Sequence, residues 1–353
     1  MSKQLNNIYQ KIGKNRNSFV IAYVTSDRAG LPSNRTCINN SAINYFGNIL
    51  DNAKTNNKIT LILHTNGGEV QAARSIINLI MEYCSELEII VPRKSLSAGT
   101  VMCLGANKIF LSKKATLGPI DPSLSNIFSP SKKINNMEYP IPISVESVKG
   151  YFDLACKELK INDQKSLKDI FTNLVDKVHP ILMGDIYKSQ KQIRMIADKM
   201  LNKSQPKMNK KNKKKIINFL CSESGSHDYA IYYSEAKNLG LSVELITGEL
   251  ENLIEEWYSI ISKELELTDE FNIYTIMTNK KETYDYCLPC VRLDSKLKKF
   301  NYVIEGKLIK QQIINMPNNI YMTQINNNLN NPRLEIHNEV SFEGWKEIKD
   351  DKN

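Results

Sequence analysis

The chain has 353 residues, a formal charge of +9, and 41% hydrophobic and 24% charged residues, the balance of an ordinary globular protein rather than a disordered or fibrous one. No stretch comes near the ~18 unbroken apolar residues of a membrane span. The polar start MSKQLNNIYQKIGKNRN lacks the apolar core of a signal peptide, so no membrane partner and a cytoplasmic protein are expected.

A short helix is expected over residues 1–15, followed by a first core strand over Phe19–Val24 and a helix over Ala42–Ala53. Ile59–His64 is the next strand. From Val70 to Tyr83, apolar residues at Val70, Ala73, Ile76, Ile77 and Ile80 mark a helix lying on a sheet. Leu87–Val91 and Lys108–Leu111 read as strands on either side of a small-residue helix, Ser97–Ala106. Strands alternating with helices at this spacing predict parallel crossover units, and the near-continuous apolar strands predict a sheet covered on both faces.

Pro119, Pro122, Pro130, Pro140 and Pro142 mark Ser123–Ile143 as a surface excursion, with helices expected after it at Val145–Leu159, Gln164–Val178 and Pro180–Leu201. Seven lysines between Lys203 and Lys215 read as a solvated basic loop, and without them the charge falls from +9 to +2. With no zinc-finger, RNA-recognition or helix-turn-helix pattern, nucleic acid is not the expected partner. Ile216–Leu220, Ser234–Leu239 and Glu249–Leu265 complete this part. Beyond Thr268, short Ile-, Tyr- and Val-rich runs (Asn272–Met277, Tyr284–Val291, Tyr302–Ile309, Ile320–Ile325) suggest a strand-rich C-terminal unit ending in a frayed tail, GWKEIKDDKN. The expected division is 1–15, 16–267 and 268–353.

Two segments carry chemistry. LILHTNGGEV runs an apolar strand into the Gly67-Gly68 turn, and PRKSLSAGT delivers Ser97 to the start of a helix at Ala98. Acyl transfer needs those two features together: backbone N–H groups freed to hold an oxyanion, and a hydroxyl nucleophile beside them. Each residue also has a plainer role open to it. Ser97 is a natural helix N-cap, and Asp121 before Pro122 is a common turn opener. The four histidines are His64, at the end of a core strand; His179, at a helix start; His227, after a Gly-Ser turn; and His337. The seven cysteines are scattered, and the one close pair, Cys287 and Cys290, is poor grounds for a metal site. Neither a metal nor a cofactor is expected.

LHTNGGEVQAA, PRKSLSAGT, TLGPIDP and SHDYAIYYSEAKNLGL, in that order, resemble the serine dehydrogenase proteinase family, relatives of the Clp proteolytic subunit and of SppA-type peptidases. The resemblance covers roughly residues 15–260 and implies an α/β Clp/crotonase-like spiral, a largely parallel sheet flanked by helices. It also implies a serine peptidase acting on peptide or protein substrate as a homo-oligomer. By motif it implies Ser97 as nucleophile, Asp121 and His227 completing the triad, and Gly67, Gly68 and Ala98 at the oxyanion hole. His179 is the alternative base, and a lysine from Lys113, Lys114, Lys132 or Lys133 would serve an SppA-type dyad. The chain departs from the Clp pattern in having no histidine in the ~25 residues after Ser97. Two other readings stay open: a crotonase-type acyl-CoA enzyme using Glu69, and an inactive scaffold recruiting a partner through its basic run and C-terminal unit.

Overall fold

Leu5, Ile8, Tyr9 and Ile12, spaced at helical intervals, are all buried on one side of the first helix, α1 (Ser2–Arg16). They pack under α10 (Glu249–Glu264), where the buried Trp257 donates its indole N–H to the Tyr9 hydroxyl at 3.0 Å. The computed structural model describes residues 2–348 except 54–56, 122, 125, 135–136, 224–225, 227, 279–281 and 314–332.

The strands are β1 (Phe19–Thr25), β2 (Lys58–His64), β3 (Glu86–Val91), β4 (Lys94–Ser95), β5 (Lys108–Leu111) and β6 (Thr116–Leu117). In the excursion come β7 (Ser123–Leu124), β8 (Ser131–Ile134), β9 (Met137–Pro140) and β10 (Ile143–Ser144), then β11 (Val243–Leu245), β12 (Thr283–Ser295), β13 (Lys299–Ile313) and β14 (Arg333–Glu347). Among the described residues, eight of them form one sheet in the order β11-β5-β3-β2-β1-β12-β13-β14. From β11 to β1 every pairing is parallel, and from β1 to β14 every pairing is antiparallel.

Alternation along the strands builds two cores. Ile21, Tyr23, Leu61 and Leu63 face one side, with α2 (Ile43–Leu50), α3 (Val70–Tyr83) and α4 (Ala98–Leu104) over them. Val20, Ala22, Val24 and Ile62 face the other, under α1 and α10. The sheet is thus the α/β layer with helices on both faces that the alternating pattern predicts. A satellite cluster of Val145, Val178, Leu182 and Ile186 gathers α5 (Val145–Asp153) and α7 (Pro180–Ser204), with Leu174 of α6 (Gln164–Val175) packed against it.

Three readings of the sequence need correction. The Lys203–Lys215 run is not a loop: α7 continues to Ser204, and Lys210–Asn218 forms α8, capped by Asn209 and anchored by buried Ile216 and Ile217. Lys213 lies on that inner face and donates to Asn202 Oδ1 at 2.6 Å. Asn272–Met277 is not a strand, since Asn272 Oδ1 accepts from the N–H groups of Tyr274 and Thr275 and starts α11 (Ile273–Thr278), which follows α9 (Tyr233–Leu239) and α10. The stretch from Gly344 to Glu347 is not frayed but pairs with β13. The run Ile320–Ile325 lies outside the described residues. The C-terminal strands β12–β14 hydrogen-bond directly to β1 and so extend the central sheet.

Candidate active site

The four motifs meet in one lateral row. Thr65, just past β2, bridges Ser95 of β4; Ser95 pairs with Leu117 of β6; and Leu117 bridges Ile231. Neighbouring segments in such a row lie about 4.8 Å apart. Thr65 is two residues before Gly67, Ser95 two before Ser97, Leu117 four before Asp121, and Ile231 four after His227. His227 itself, with Gly225, lies outside the described residues.

Ser97 sits at φ 49°, ψ −114°, a left-handed conformation rare for a non-glycine residue. Its side chain makes no capping hydrogen bond to α4. The hydroxyl therefore does not do what an N-cap serine does, and the backbone is held in a costly conformation of the kind that clusters at functional sites. What holds it is the core: Ala98, Val101 and Met102 of α4 are fully buried. Ser95 is also buried, facing Gly99, where an added Cβ would come within 2.6 Å of its Oγ.

The glycine turn is fitted against Ser97. A Cβ on Gly67 (φ +111°) would lie 2.8 Å from Leu96 O and 2.9 Å from Ser97 Cβ, so only glycine fits. The Gly67 N–H is already used, donating to Thr65 Oγ1 at 3.0 Å, so this residue supplies shape rather than an oxyanion donor. On the far side, Ile38 N–H donates to Gly67 O and Glu69 N–H to Ile38 O, both at 2.8 Å. That parallel bridge leaves the N–H and C=O of Gly68 pointing away from Ile38. Gly68 is exposed, whereas Ala98 is wholly enclosed, its N against Gly67.

Asp121 is 3% exposed, on a segment tied down by Ile120 N–H donating to Leu220 O at 2.8 Å. Near it lie Glu146, Cys221 and Arg194. Burial, reinforced by the charge of Asp121, pushes the Glu146 carboxyl above its ordinary value. Burial pushes the Cys221 thiol up to about 12, so it is an inert thiol rather than a nucleophile.

His179 is not free to act as a base where it stands. Its Nδ1 accepts from Ile181 N–H at 3.2 Å as the cap of α7, and its ring stacks on Phe128 at 4.4 Å. His64 is fully buried and paired with Asp27 at 2.8 Å, while His337 is exposed on β14. Lys113 and Lys114 pair with Glu251 and Glu255 of α10, and Lys132 and Lys133 are exposed on β8. Glu69 accepts from Asn40 Nδ2 at 3.0 Å beside a cleft of about 340 Å³ between the start of α3 and α7. Asp27 and Glu146, which the structure brings to this region, gave no signal in sequence: each is a single acid in a polar surrounding. Among the described residues no cluster of His, Cys, Asp or Glu is arranged to hold a metal, and no helix is long and apolar enough to cross a membrane.

Residues 1–141 match a family described as ClpP-like SDH-type serine proteinase, which bears out the family resemblance over that stretch. The uncharacterized protein MJ0137 of Methanocaldococcus jannaschii is 31% identical over 205 residues, 58% of this chain and 57% of that protein. The uncharacterized protein MJ1495 of the same organism is 26% identical over 185 residues, 52% of this chain and 51% of that one. The chain thus spans little more than half the length of the curated relatives it matches. Similar solved structures include a mutant of the 1510-N membrane-bound stomatin-specific protease, at 16% identity and TM-score 0.35, covering 62% of this chain and 79% of that one. A ClpP1 mutant from Listeria monocytogenes is similar at 13% identity and TM-score 0.34, covering 69% of this chain and 99% of that one.

Proposed function

We propose that the chain is a serine peptidase that cleaves peptide bonds through an acyl-enzyme. The observation that carries this reading is the row Thr65–Ser95–Leu117–Ile231, which gathers the glycine turn, the strained serine and the two segments bearing Asp121 and His227. Ser97 Oγ attacks the substrate carbonyl while the His227 imidazole takes its proton and later hands it to the leaving amine. Asp121 orients that imidazole and stabilises its cationic form. The exposed N–H of Gly68 is the oxyanion donor open to substrate. The N–H of Ala98, directly after Ser97, is the second donor of this reading. Extended peptide would lie as an added strand along this row, and a homo-oligomer is the expected working form.

The test is labelling by a fluorophosphonate probe and cleavage of dye-labelled casein. Wild type is expected to label, Ser97→Ala to be silent, and His227→Ala to lose about 10³-fold or more in rate. His179→Ala is expected to stay near wild type. Folded wild-type protein that neither labels nor cleaves would sink the proposal.

A further inference from the structure

Three donors converge on one carboxylate outside the proposed triad. Asp27, in the loop after β1, faces His64 Nε2 with Oδ2 at 2.8 Å. Its other oxygen, Oδ1, receives Asn66 Nδ2 at 2.9 Å and Lys94 Nζ at 3.0 Å. His64 ends β2, Asn66 immediately precedes Gly67, and Lys94 opens β4, three residues before Ser97. One side chain therefore bonds to both arms of the site, the glycine turn and the serine turn. The Asp27 side chain is 17% exposed and that of His64 1%. Burial alone would raise the Asp27 carboxyl. The hydrogen bond and charge of His64, with the charge and hydrogen bond of Lys94, outweigh it and hold the group below its ordinary value. The carboxylate is thus an ionised acceptor for all three donors.

We propose that Asp27 is a positioning residue of the Ser97 site, its carboxylate fixing the separation of the Gly67–Gly68 turn from the Ser97 turn. The proposal rests on the serine-peptidase reading for its catalytic consequence, but not for its mechanical one. The backbone bridge at Thr65 sets the two arms side by side: Thr65 N–H donates to Lys94 O and Leu96 N–H to Thr65 O, both at 3.1 Å. A bridge of one residue leaves a hinge. Asp27, gripping the side chains on both sides of it, removes that freedom. A neutral amide in its place keeps the volume but removes the charge that Lys94 pairs with, and it turns an N–H₂ toward His64, which must then present a bare Nε2. A displacement near 1 Å between nucleophile and oxyanion donor is worth about 10²-fold in rate.

The test compares wild type with Asp27→Asn, well below both unfolding temperatures, by two measurements. In probe labelling, the limiting rate at saturating fluorophosphonate is expected to fall about 10- to 100-fold, while the half-saturating concentration stays within about twofold of wild type. In amide hydrogen exchange, residues 65–69 and 94–98 are both expected to exchange at least about tenfold faster, with the strands of the core unchanged. Asn66→Ala, which removes one exposed grip, is expected to give a smaller effect of the same kind, and it decides the matter if Asp27→Asn does not fold. Wild-type exchange in both segments would overturn the proposal, whatever happens to the unfolding temperature. So would slowed labelling without faster exchange. If wild type never labels, the peptidase reading fails, and the exchange result alone still decides whether Asp27 holds the two arms together.

Discussion

The turn that carries Ser97 and the segments proposed to carry the acid–base groups are held by different means. Ser97, Gly67 and Gly68 sit beside the carboxyl ends of parallel strands, with α4 fully buried behind them and backbone bridges at Thr65 and Ile38 on either side. Asp121 opens the excursion β7–β10, and the ionisable groups around it come from α5, α7 and the turn after α8. Its links to the serine side pass through the Ser95–Leu117 pairing and Thr100, whose Oγ1 accepts Gly118 N–H at 3.1 Å. A nucleophile and its oxyanion donors tolerate little displacement, and the residues proposed for those roles are built on the sheet. Acid–base groups tolerate more, because their side chains rotate, and the segments proposed to supply them are added at the rim.

That contrast predicts where substitutions hurt most. Gly67→Ala strikes the rigid side. Its Cβ meets the Leu96 carbonyl and the Ser97 Cβ, and its φ is left-handed, so a stability loss of about 2–4 kcal/mol is expected in urea unfolding. Labelling is expected to fall by about 100-fold or more, because the serine turn must move to make room. A near-silent Gly67→Ala would break the comparison. On the rim, His179→Ala is expected to lose about 1 kcal/mol from the missing helix cap, read from the same urea curves, with labelling within about twofold of wild type.

The smallest effect is a pH effect at Glu146, whose Oε1 is buried without a hydrogen-bond partner and whose charge faces Asp121. Burial and Asp121 raise its folded value above its unfolded one, so the native state binds the proton more tightly. Stability is therefore expected to fall as pH rises from the ordinary carboxylate value through the raised one, and then to level off. Glu146→Gln should flatten that limb and gain about 0.5 kcal/mol at neutral pH. An unchanged pH profile would place Glu146 with the ordinary surface acids.

Much of this was legible in the chain because the serine side is written in local signals. A strand ending in Asn-Gly-Gly and a serine before Ala-Gly-Thr are backbone requirements, and backbone requirements show as glycines and small residues. The lysine run misled because its helical signal is carried by Lys213, Ile216 and Ile217 facing inward among solvated lysines, so composition outvoted periodicity. Asn272 misled in the opposite way: a β-rich run followed it, but its side chain bonds forward and starts a helix. Asp27 could not be read at all. Its partners lie 37, 39 and 67 residues away in sequence, and an acid in a polar loop has no local mark. The same holds for the pairing of β12 with β1, since strandness is local but the choice of partner is not.

That last pairing bears on how the protein is made. Ile21 of β1 lies in register with Ser295, so one edge of the central sheet waits for a segment about 270 residues downstream. At the ribosome's pace of ~5–20 residues per second, the nascent chain carries that open, apolar edge for about 15–55 s. An unpaired strand of this composition, FVIAYVT, is a template for the wrong partner, including the same strand of a neighbouring nascent chain. Newly made chains should therefore depend on chaperone shielding until β12 emerges, and recovery from denaturant should fall steeply with protein concentration.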